Sequence, residues 1–208
     1  MKITKEVCVD NLDNAVKAFN KGANRIEFCS NLNEDGLTPK TEDLISIKKI
    51  VQCPIRVMVR PHSRSFVYSE QDLKEMKKTI NLCNQHNFDG VVFGCLDENM
   101  ELDIKKIKYL TDLSKPLKVI IHKAIDLTSS TLNSLKQLIE IKQINGVLSS
   151  GGADNAEHGL DNLKKMIAIS PPEFEVISAG KITNENLDYL HEKIQGKFYH
   201  GKKIVGKL

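Results

Sequence analysis

Short apolar runs and amphipathic segments alternate along the whole chain, with no break in composition that would mark a linker. The apolar runs read as strands at Ile3–Val9, Arg25–Phe28, Ile55–Arg60, Gly90–Phe93, Leu117–Ile121, Gly146–Leu148, Phe174–Ile177 and Lys197–His200. Between them, apolar residues recur at helical spacing. Leu12, Ala15, Val16 and Phe19 form one such stripe, and Leu73, Met76, Ile80 and Cys83 form another. Seven helices are predicted, over 12–21, 40–51, 70–85, 104–113, 131–141, 157–169 and 184–194. Strands joined by helical crossovers lie parallel in one sheet, and eight such units predict an α/β fold that closes as a (β/α)8 TIM barrel. An open doubly wound sheet is the alternative. It is disfavoured by the lack of a GxGxxG turn after the first strand. Residues 1–208 are expected to form a single domain. Barrels of this type usually take about 250 residues and this chain has 208, so the last helix is expected to be short or missing. Only the tail Lys202–Leu208 follows the last strand. A partner subunit would then cover the seam between the last and first strands, which makes a homo-oligomer, a dimer, the expected assembly.

Composition removes several function classes. The formal net charge is +3, and no basic stripe interleaved with aromatics is present, so nucleic acid is not an expected partner. No apolar run approaches the roughly 18 residues of a membrane span. Five cysteines, an odd number with no CxxC among them, and an N-terminus without a signal-peptide core point to a reducing, cytoplasmic location.

Polar residues gather where the predicted strands end. The stretch Arg25–Pro39, RIEFCSNLNEDGLTP, runs from a strand through a polar loop toward a helix. Thr38 is placed to cap that helix and Pro39 to open it. Residues two apart on a strand share a face, so Glu27 and Cys29 point the same way, and Glu6 and Cys8 repeat the pair on the first strand. Arg60, Asp97, His122, Lys123, Asp126, Ser149, Ser150, Ser178 and His200 lie at or just past the other strand ends. In a barrel these ends form one rim, and sites sit there.

Most candidates have more than one reading. Glu6 and Glu27 are a general acid–base pair, in which mutual repulsion raises one pKa, or a structural network neutralised by Arg60. His122 is an acid–base group, a ligand or a buried barrel histidine. Asp126 orients a neighbour or caps the fifth helix. The turns SSGGAD and SAGK, with Ser150, Gly151, Gly152, Gly180 and Lys181, bind phosphate at helix N-termini or are simply tight turns that need glycine. The segment His62–Arg64 is an anion contact or an exposed loop. Cys53 and Cys83 read as packing residues, and Cys95 lies nearer the rim.

The strand ends resemble those of the CutC copper homeostasis family. The matching stretches are EVC, IEFC with EDGLTP, VRP with FVYS, GCLD, IHKAID, LSSGG and SAG, in that order from Glu6 to His200. The chain differs from the family pattern at His62 and Lys123, where the family carries Arg. The resemblance implies a (β/α)8 barrel, a role in cytoplasmic copper handling, and Cu(I) as the bound ion. Cu(I) is soft and prefers thiolates, and cysteines on neighbouring strands about 4.8 Å apart converge on one ion, so Cys8 and Cys29 are the expected ligands; the other reading makes both small buried apolar residues of the core. The competing expectation is a TIM-barrel enzyme acting on a small anionic or phosphorylated substrate. There Glu6, Glu27 and His122 would transfer protons, Asp126 would assist, and Arg60 would hold the anion.

Overall fold

The computed structural model describes residues 3–208. Its strands are β1 (Thr4–Val9), β2 (Arg25–Phe28), β3 (Ile55–Met58), β4 (Gly90–Phe93), β5 (Lys118–Ile121), β6 (Ile144–Ser149), β7 (Glu175–Ser178) and β8 (Phe198–His200). They pair in parallel in chain order and close β8 onto β1. Parallel strands covered on both faces are apolar almost throughout, which is why they appear as short unbroken runs rather than alternating ones. Outward residues such as Val7, Ile26, Val57, Val91 and Ile121 pack under the helices. The inward set is smaller and separate: Cys8, Cys29, Met58, Val92, Ile120, Leu148, Ile177 and Ala179.

Seven helices surround the barrel: α1 (Leu12–Asn20), α2 (Thr41–Ile50), α3 (Glu70–Gln85), α4 (Ile104–Leu113), α5 (Thr131–Ile139), α6 (Leu160–Ile169) and α7 (Leu187–Ile194). Local chemistry sets several starts. Asn11 accepts from the Asn14 amide, Ser69 and Asp72 form a reciprocal capping box, and Asp103 and Ser130 cap α4 and α5. None of these helices is long and apolar enough to cross a membrane.

Three local expectations are corrected. Thr38 does not cap α2: its hydroxyl accepts the Arg60 amide at 2.8 Å, and Lys40 holds the cap position without a side-chain bond. Arg60 lies outside the sheet, since β3 ends at Met58. Phe19 is 37% exposed, because Ala15 and Ala18 form the buried face of α1.

No helix follows β8 among the described residues. The tail folds back instead. The Gly201 amide donates to Glu6 O, Lys203 bridges to Thr183, Ile204 is fully buried, and Lys21 Nζ reaches Lys207 O at 2.9 Å. The chain thus supplies its own cover at the barrel seam.

Candidate metal centre

The register decides which side chains meet inside the barrel. Glu6 lies opposite Arg25 on one side and His200 on the other, Cys8 lies opposite Glu27, and Glu27 lies opposite Arg56. Neighbouring positions in a parallel pair point to the same face, so all of these project inward.

At the floor they build an ion network. Arg25 Nε donates to Glu6 Oε2, and Arg25 Nη1 lies 3.0 Å from Glu175. Arg56, fully buried, donates to Glu175 at 2.8 and 3.0 Å and to Asp89 at 3.3 Å, and its Nη1 stands 3.6 Å from Glu6. Buried charges persist only when paired this closely. Gly146 makes room beside the network, since a Cβ there would stand 2.3 Å from Glu175 O.

Above the floor sit the thiols. Cys8 Sγ and Cys29 Sγ are 3.5 Å apart, and Cys29 Sγ also lies 3.4 Å from Val9 O, to which it donates. One ligand atom each from Cys8, Glu27 and His200 lie within 4.8 Å of one another. His200 Nδ1 is 2.8 Å from Glu6 Oε1, and its Nε2 is 3.8 Å from Glu27 Oε2. The imidazole therefore presents one nitrogen to a fixed carboxylate and the other to the thiol side. That is the pattern in which a carboxylate orients a metal-ligating histidine.

Protonation follows from this crowding. Burial works against the Glu6 charge, but Arg25, His200 and Arg56 outweigh it and hold the carboxyl well below its usual range. Burial lifts Glu27 instead, and the Glu6 charge adds to the lift. Burial disfavours a charged His200, yet Glu27 and Glu6 raise it well above its ordinary value of 6.5. The Cys8 thiol is pushed up by its bond to Cys29, then by burial and the Glu27 charge.

The rim residues do other work. Arg60 does not neutralise the glutamates: Arg25 and Arg56 pair with Glu6, and Glu27 faces His200 Nε2. Arg60 Nη1 donates to the carbonyls of Glu34 and Gly36, and its guanidinium lies 4.8 Å from the centre of the Phe66 ring. His122 Nδ1 accepts from the Ala124 amide at 3.2 Å, and burial with the Arg60 charge lowers the ring to about 3, so it stays neutral. Asp126 does not cap α5, a task Ser130 performs. Its carboxylate instead accepts from the amides of Ser150 and Gly152 and from the hydroxyls of Ser149 and Ser150.

That last arrangement bears on the phosphate expectation. The Ser150 and Gly152 amides are taken by Asp126 and the Gly151 amide by Ser149 Oγ, so an internal carboxylate occupies the turn. The helix behind it starts only at Leu160. Gly180 serves close packing: a Cβ there would stand 2.9 Å from Ser150 Cβ. Asp126→Ala strips these donors of their acceptor. It is expected to cost about 2–4 kcal/mol and to lower Tm by roughly 5–12 °C, read by thermal unfolding.

Cys83 and Cys95 pack in the outer core, and half-buried Cys53 packs against it. Arg25, Arg56 and Glu175 are not among the residues expected at the site, and His200 is expected at the rim without a specific role. A charged residue inside an otherwise apolar four-residue strand, as in IRVM, was the available signal.

With this geometry in view, comparison with known proteins is specific. Residues 3–205 match the model of the CutC family. A human copper homeostasis protein cutC homolog is 36% identical over 195 residues, covering 94% of this chain and 71% of that protein. A Dictyostelium discoideum homolog is 30% identical over 223 residues, covering 94% and 80%. The crystal structure of a putative copper homeostasis protein CutC from Streptococcus agalactiae superimposes with a TM-score of 0.91 at 25% identity, over 97% of this chain and 99% of that one. On fold, strand-end motifs and matched length together, the chain belongs to the CutC family.

Proposed function

We propose that this chain is a copper homeostasis protein that binds Cu(I) inside the barrel mouth, with Cys8 and Cys29 as thiolate ligands and His200 Nε2 beside them. The observation that carries the reading is the sulfur–sulfur distance of 3.5 Å. Two metal–thiolate bonds of about 2.3 Å each span up to roughly 4.6 Å, so one ion touches both sulfurs. The donor set is soft, as Cu(I) requires, and Glu6 fixes the imidazole from behind. Below, the fully buried Arg56 and the Glu175 it pairs with supply the floor. All five cysteines are free, which suits a reducing compartment such as the cytoplasm. The relatives named for copper homeostasis give the biological setting.

The test is anaerobic competition with a chromogenic Cu(I) chelator. The native chain is expected to withhold one equivalent of Cu(I), and Cys8→Ser/Cys29→Ser to withhold none. Undiminished binding by the double variant would overturn the assignment.

A further inference from the structure

We propose a second site at the barrel mouth: a pocket for one small carboxylate, held by Arg60 Nε–H and His122 Nε2–H beneath the ring of Phe66.

The case begins with a charge that has no counterion. Arg60 is 7% exposed, and no carboxylate lies within ion-pair distance of it among the described residues. Its Nη atoms go to three backbone carbonyls, those of Glu34, Gly36 and Ser63, and Nε is left buried without an acceptor. A buried guanidinium in that condition is costly unless something anionic joins it.

His122 supplies the second donor. It is 4% exposed, and its Nδ1 accepts the Ala124 amide. The neutral ring therefore carries its proton on Nε2, and Nε2 too is buried without a partner. The ring packs on Gly94, the residue just past β4, where a Cβ would stand 2.8 Å from His122 Nδ1 and Cε1. Both side chains then pack on one residue. The Phe66 ring lies 4.7 Å from the His122 ring and 4.8 Å from the Arg60 guanidinium.

Two N–H donors, one positive charge and one apolar wall describe the ligand. A carboxylate brings a single negative charge and two acceptor oxygens, and charge-assisted bonds of this kind are the strong ones. A phosphate dianion would bring a second negative charge, and Arg60 supplies one positive charge to meet it. The site stands independently of the copper reading, although Gly36 links the two: its carbonyl accepts from Arg60, and a Cβ on it would lie 3.3 Å from Cys29 Sγ.

The experiment uses copper-free, 15N-labelled full-length protein. Sodium acetate, sodium pyruvate and sodium phosphate are titrated separately against sodium chloride at constant ionic strength, and the His122 imidazole resonances are followed by NMR. They are assigned by their loss in His122→Gln. Acetate or pyruvate is expected to shift them saturably while the His191 ring stays still, and Arg60→Lys is expected to weaken that response at least tenfold. If Arg60→Lys fails to fold, the wild-type titration alone decides. No shift beyond that of chloride with either carboxylate overturns the site. Tighter binding of phosphate than of both carboxylates overturns the carboxylate assignment.

Discussion

Cu(I) affinity is expected to rise at least about 100-fold for each pH unit between pH 6 and 7. The ion competes with protons for its ligands. Two of the proposed ligands hold theirs firmly: Cys8, through its bond to Cys29 and its burial, and His200, which Glu27 and Glu6 keep charged against the cost of burial. Both groups are raised above their ordinary values, so both are protonated in this window and both protons must leave when the ion enters. Each released proton changes the apparent constant about tenfold per pH unit. His200→Gln should reduce the slope of log K against pH by one. Glu6→Gln should weaken binding by about 10–100-fold through loss of the orienting carboxylate. Chelator competition across a pH series, corrected for the chelator's own protonation, reads all three. A slope below one in the native chain would mean that neither Cys8 nor His200 is a ligand.

Arg56→Met is expected to cost about 3–5 kcal/mol, the range found when one partner of a buried ion pair is removed. Arg56 is fully buried and contacts Glu175, Asp89 and Glu6. Methionine fills similar space but leaves Glu175 sharing only Arg25 and takes one of three cations from Glu6. A loss of this size is a large share of the roughly 5–15 kcal/mol that stabilises a typical domain. Urea unfolding measures it. Because the damage is an uncompensated charge rather than a cavity, Arg56→Met/Glu175→Gln should recover about 0.5–3 kcal/mol relative to additivity. A change below about 1 kcal/mol in the single variant would show that the floor network is not holding the strands.

Much of the architecture is legible in the chain because each (β/α) unit carries its own signals. Short apolar runs between helical stripes, with Ser69, Asp103 and Ser130 at helix starts, depend only on near neighbours. What escapes that reading depends on contacts distant in sequence. Thr38 has good capping chemistry, yet the Arg60 amide, 22 residues on, claims its hydroxyl. Arg56 and Arg60 stand four residues apart, and strand periodicity gives both the same inward face. Arg56 lies within β3 and meets Glu175 in the barrel, while Arg60 lies past the end of β3 and turns to loop carbonyls at the rim. His200 sits at the end of a three-residue strand and meets Glu6 across 194 positions, which only barrel closure reveals. Asp126 illustrates the same limit. Its spacing fits a helix cap, but the turn after β6 lies closer in space and offers four donors. The pair Glu6 and Cys8, with Glu27 and Cys29, was readable as a shared inward face because strand periodicity is two. Its use of His200 as the bridge between carboxylate and thiol was not.

The central claim is that two sulfurs from adjacent strands share one ion, and X-ray absorption at the copper edge counts them directly. Anaerobically loaded native protein is expected to show two sulfur neighbours at about 2.3 Å, falling to one in Cys8→Ser and one in Cys29→Ser. A spectrum with only nitrogen and oxygen neighbours, or one unchanged by either substitution, would contradict the account.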